Sequence, residues 1–211
     1  MKSRGLYGYN FYLACQRSWW LPPLIIGIYI AQAWHGGKET WDWRPLFEVF
    51  LPLLTLAYIV PVMVDEKQGG TWPLILSYPM GRLRLFAAKI LPALAMAMLL
   101  ILATWGALQV LGLPVSGRAL GIAMPGFLFL SGLAVTSGVL SSTPMVSWFL
   151  PVGWWALDFS TRGRFTGSWY LFSLSYPEEG IEVIPTKVTL ALTGIFLWIL
   201  AALIFRQIRR E

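Results

Sequence analysis

The sequence predicts an all-α, polytopic membrane protein, and three observations carry that prediction. Only 12% of the 211 residues are charged, against about 25% in an ordinary soluble domain. The mean hydropathy is positive. The apolar runs are nearly as long as a bilayer is wide, so lipid is the solvent they fit. Six transmembrane helices are expected in a single domain spanning residues 1–211, with an N-terminal interfacial helix ahead of them and a short cytoplasmic helix between spans two and three.

Residues 1–18 mix Lys2, Arg4 and Arg17 with Tyr7, Tyr9, Phe11, Tyr12 and Leu13. That mixture suits a helix lying among lipid headgroups; an irregular tail is the alternative. The first span is expected at 19–34, with Pro22 and Pro23 in its first turn, where a missing N–H costs least. The second is expected at 46–64, with Pro52 and Pro61 as kink positions. The third and fourth fall at 90–111 and 119–140. The fifth, 144–159, contains Pro151 and Gly153 and is expected to be short or bent, and the sixth falls at 188–205. A helix of about 20 residues crosses the hydrocarbon core.

Six spans put both ends on one side. With both termini in the cytoplasm, the inner set of basic residues is Lys2, Arg4, Arg17, Lys67, Arg82, Arg84, Lys89, Arg206, Arg209 and Arg210. The outer set is Lys38, Arg44, Arg118, Arg162, Arg164 and Lys187. Ten of the 16 basic residues therefore lie inside, which orients the chain by the positive-inside rule. Trp19, Trp20, Trp34, Trp41 and Trp43 sit where interfacial aromatic belts would place them. The expected location is a cytoplasmic (inner) membrane of bacterial type, with the lipid bilayer as one partner.

Other classes are disfavoured. The net charge of +6 resides in short loops rather than on a continuous face, so nucleic acid is not an expected partner. One cysteine, Cys15, and one histidine, His35, offer neither an internal disulfide nor a Cys/His metal site. The first apolar run is followed by Trp34 and His35 rather than a small-residue cleavage site, so it is expected to stay as a span. No ionisable residue occupies the middle of a span. Glu48 lies near the start of the second and Asp158 at the end of the fifth. An ion-coupled carrier would need such a group at mid-membrane. The serines at 131, 137, 141, 142 and 147 have no basic partner within the spans, and with Gly132 and Gly138 they read as helix-packing residues. Trp105, Trp148, Trp154 and Trp155 are candidates to line a path for an amphipathic substrate, with packing or lipid contact as the plainer alternative.

The stretch 65–89, DEKQGGTWPLILSYPMGRLRLFAAK, is the most patterned segment. It reads as a turn, a short amphipathic helix at the membrane surface, a second break and a basic entry into the third span. It resembles the signature region of ABC-2 type transporter permeases. That pattern is met by Glu66, Gly70, Thr71, Leu74, Leu76, Ser77, Pro79, Arg82, Leu85 and Lys89. Trp72-Pro73 and Met80-Gly81 depart from the commoner residues of the pattern.

The resemblance implies a coupling helix around 66–78 that docks on a separate ABC-type ATPase subunit, with Glu66, Gly70, Thr71, Leu74, Leu76, Pro79 and Arg82 at that interface. For Arg82, Arg84 and Lys89 the residues themselves leave orientation, lipid phosphate and snorkelling open. It further implies a second permease chain, short re-entrant helices within 160–187, and export of a drug, peptide, lipid or glycan. The sequence contains no G-x-x-x-x-G-K-[ST], so the chain is expected not to be an enzyme. It is expected to carry no cofactor, with ATP and Mg bound by the partner ATPase. A non-transporting scaffold or regulator of the same fold, and a stand-alone carrier, are the competing readings.

Overall fold

The computed structural model describes residues 20–36, 41–68, 70, 81–113, 115–141 and 143–207. Among them are six α-helices and no strand. Helix α1 is Leu21–Gly36. A five-residue π turn, Leu46–Phe50, runs directly into α2, Leu51–Gln68. Helix α3 is Arg82–Val110, α4 is Arg118–Leu140, α5 is Pro144–Thr161, and α6 is Val183–Gln207 after a 3-10 turn at Gly167–Trp169. By length and composition, α3, α4 and α6 are apolar enough to cross a membrane, while Leu21–Gln32 and Leu46–Val62 are shorter apolar stretches. The expected interfacial helix at 1–18 lies outside the described residues.

Helix α4 is the centre of the bundle, packing against α6, α2 and α5. Its contact with α6 is made backbone to backbone. A Cβ on Gly194 would lie 2.5 Å from the carbonyl carbon of Leu128, and one on Gly132 would lie 2.9 Å from the carbonyl oxygen of Gly194. Without a hydrophobic drive between helices in lipid, such close approach supplies the dispersion that holds them together. Polar side chains reinforce the crossing: Thr136 donates to the Leu197 carbonyl at 2.9 Å, and Trp198 Nε1 donates to Ser131 Oγ at 3.1 Å. Ser131 and Ser137 also bond back to their own helix. The packing role expected of Ser131 and Gly132 is thus observed, and Gly194 is the partner the sequence did not single out.

The π turn has a local cause. Pro52 has no N–H to give to the Glu48 carbonyl, and in a regular helix its ring would clash there. The wider turn relieves the clash. Pro52 then fits against Gly126 of α4, where a Cβ would come within 3.3 Å of the ring.

Three helices depart from expectation, and α6 does so by beginning at Val183, five residues before the expected 188. Helix α3 starts at Arg82, well before residue 90, because Leu85, Phe86 and Ala88 are buried and Lys89 is enclosed by protein. Lys89 therefore does not snorkel to water. Helix α5 runs unbroken through Pro151 and Gly153 to Thr161. Helix α1 stands at the edge, touching α2 and α3 lightly, with Tyr29 packed on Phe50 and Trp41.

Candidate functional site

Three places could serve function: the segment joining α5 to α6, an apolar cavity and the elbow between α2 and α3. The joining segment, 162–182, connects α5 to α6. Arg162 and Gly163 both take positive φ, 51° and 79°, and turn the chain sharply after α5. The ring of Tyr170 then lies against Gly163, where a Cβ would fall 2.5 Å from the ring. In place of the expected re-entrant helices, the chain forms one 3-10 turn and a run of turns, with Tyr170, Leu171 and Phe172 buried.

Turns inside a packed region leave main-chain N–H groups in need of acceptors. Two buried carboxylates meet that need. Glu48, 2% exposed, accepts from Leu174 N at 3.0 Å and Ser175 N at 2.6 Å, and pairs with Lys187 of α6. Asp158, 0% exposed, accepts from Leu171 N at 2.7 Å and from the Thr166 hydroxyl. Lys187 also donates to the Leu171 carbonyl. Leu171 is therefore gripped on both main-chain groups by residues from α5 and α6. Trp155 Nε1 donates to the Val49 carbonyl at 2.9 Å and joins α5 to the π turn. The Tyr170 hydroxyl donates to the Tyr176 carbonyl at 3.0 Å. Burial, and then the negative charges of Asp158, Glu48 and Glu178, push the Tyr170 pKa up, so it stays a donor. Glu48, near the start of the second expected span, is enclosed and paired with a lysine 139 positions away.

The cavity, about 350 Å³, lies between α1, α2 and α3 and is lined by Ile26, Ile30, Tyr58, Leu100 and Thr104 among others. Its surface is almost wholly apolar, suited to an acyl chain or another apolar group. None of the four candidate tryptophans is among its lining residues. Trp154 packs edge-on to Phe129 at 5.4 Å, Trp155 stacks on Phe159, and Trp148 is 39% exposed on α5. The indole nitrogens of Trp105 and Trp154 are buried with no hydrogen-bond partner among the described residues.

At the elbow, Glu66 falls in the last turn of α2, and Gly70 follows in the left-handed region at φ 65°. Glycine is the residue that ends a helix this way without a Cβ penalty. Gly81 then caps α3, with Arg82 as its first residue. Thr71, Leu74, Leu76 and Pro79, and with them the expected coupling helix, lie outside the described residues.

A bundle of apolar helices with its charges gathered toward the two ends defines an integral membrane protein. Residues 21–163, more than half of the chain, match the ABC-2 family transporter protein family. The chain belongs to that family and is a transmembrane permease of the ABC transporter class. The matched region takes in Glu48, the elbow and Asp158, and stops at the turn into the joining segment. No curated protein and no solved structure matches the chain.

Proposed function

We propose that this chain is the membrane-spanning subunit of an ABC exporter whose ATP is hydrolysed, with Mg, by a separate ATPase subunit. It would have six spans, α1 to α6, with both termini in the cytoplasm of a bacterial-type inner membrane. A second permease chain would complete the membrane half. The substrate would be hydrophobic or amphipathic: a drug, peptide, lipid or glycan. The apolar cavity beside α1 supports that choice.

The observation that carries the reading is the break between α2 and α3. Helix α2 ends at Gln68 with Gly70 in the left-handed region just beyond it, and α3 starts afresh at Arg82 after Gly81. In an ABC-2 permease, a break at this point of the chain is where the coupling elbow stands. Glu66, Gly70, Thr71, Leu74, Leu76 and Pro79 would meet the ATPase, with Arg82 closing the elbow.

The test is to isolate the chain from its native membrane in mild detergent, identify what copurifies and measure ATP hydrolysis. A P-loop ATPase should copurify. Glu66→Ala and Gly70→Pro should release it or uncouple hydrolysis, the second because proline cannot reach positive φ. A folded chain that brings down no ATPase would sink the reading and favour a scaffold or carrier.

A further inference from the structure

We infer that the end of the bundle formed by the start of α3 and the end of α6 binds the headgroup of an anionic phospholipid through Arg82, Arg84 and Arg206. Phe86 of α3 packs on Phe205 of α6 with ring centroids 5.3 Å apart, and this brings the two helix ends together. Between them lies a cavity of about 550 Å³ lined by Gly81, Arg82, Leu83, Arg84 and Arg206. Three arginines from two helices therefore line one recess. Among the described residues none of the three forms an ion pair, and the buried Arg82 Nη1 has no hydrogen-bond partner.

A charged donor withdrawn from water without an acceptor is costly, and an anion in the recess would remove that cost. The first turn of α3 adds to the positive potential, since it has no acidic residue and Gly81 offers no capping side chain. Guanidinium forks match phosphate oxygens in pairs.

The apolar surroundings select a lipid over a soluble phosphate. Leu91, seven residues along α3 from Arg84, is 52% exposed. On α6, Leu203 and Ile199, three and seven residues before Arg206, are 48% and 54% exposed. Residues at these spacings share a helix face. Arg206 thus stands at the head of an exposed apolar strip, as a phosphate stands at the head of its acyl chains, and Arg84 shares a face with the exposed Leu91. Assignment to the inner leaflet rests on the orientation proposed above; the chemistry of the recess does not.

The test uses the purified full-length chain and counts bound lipid by native mass spectrometry, with phosphatidylglycerol and phosphatidylcholine as probes. Phosphatidylglycerol should be retained in preference. Each arginine near an anionic headgroup is worth roughly fivefold in affinity, so R82A/R206A should weaken phosphatidylglycerol binding about 30-fold. R82K/R206K should retain most of it, and R118A, on a different helix end, should leave it unchanged. Should the double alanine variant not fold, R206A alone is expected to give about a fivefold loss. Equal retention of the two lipids would overturn the inference, as would arginine variants that bind like wild type. So would glycerol phosphate binding as tightly as the diacyl lipid. If the variants lose a copurifying ATPase while lipid binding stands, the recess is a protein-docking surface instead. Lipid retention is read without any ATPase, so failure here is distinct from failure of the exporter reading.

Discussion

The two ends of the helical bundle handle charge in opposite ways. At the segment joining α5 to α6, Glu48, Asp158 and Lys187 are enclosed, and among them they satisfy main-chain groups of Leu171, Leu174 and Ser175. At the start of α3 and the end of α6, Arg82, Arg84 and Arg206 face a recess with no ion-pair partner among the described residues. The first arrangement is closed upon itself and fixes shape. The second leaves unspent binding capacity. An end whose charged groups are matched within the chain suits a rim that must stay put, and an end rich in unmatched guanidinium donors suits a surface that takes a ligand.

This contrast can be broken by substitution, and the largest effect should come from the closed end. Glu48→Ala would strand Lys187 and two main-chain N–H groups. A buried pair broken in this way costs about 3–5 kcal/mol, visible as a large drop in the thermal transition in mild detergent. If Glu48→Ala melts like wild type, the segment joining α5 to α6 is not held by this pair. Gly163→Ala should come next. It forces a Cβ into the Tyr170 ring at positive φ, and the backbone strain alone is worth about 1–2 kcal/mol. Loss of protection of 164–176 in hydrogen exchange should accompany it, and an unaltered exchange pattern would argue against the packed turn.

Tyr170→Phe should have a smaller effect, about 1 kcal/mol for one hydrogen bond. Its signature is in the pH profile. The folded-state pKa of Tyr170 is raised, so above pH ~10 the unfolded chain ionises this phenol while the folded chain resists. Wild type should therefore lose stability above that pH more steeply than the phenylalanine variant. Identical alkaline slopes would refute the burial. At the open end, Arg84→Ala should change stability by less than about 0.5 kcal/mol; a loss as large as that of Glu48→Ala would erase the distinction between the ends.

Much of the helical framework was legible in the sequence because each apolar run approaches the width of a bilayer and carries its own signal. The beginning of α3 was not. Arg82, Arg84 and Lys89 look like a polar flank, and only tertiary packing makes Lys89 an interior residue. Gly132 was legible beside Ser131, whereas Gly194 stands in an apolar run where nothing local marks it. The pairing of Glu48 with Lys187 depends on contacts across most of the chain, beyond the reach of periodicity. At the candidate elbow, Gly70 was readable as a break because glycine punctuates helices locally, whereas Gly81 stood out only as a departure from the pattern. The four candidate tryptophans could be placed on helices by pattern, but which neighbours they would meet could not.

The grip on the joining segment has a consequence for how its sequence can drift. Glu48 and Asp158 hold it mainly by peptide N–H groups, at Leu171, Leu174 and Ser175. A peptide N–H is common to every residue but proline. The half-buried side chain of Leu174 can therefore be exchanged over generations while the path of the chain is inherited intact, and proline at any of those three positions is the one letter that erases the instruction.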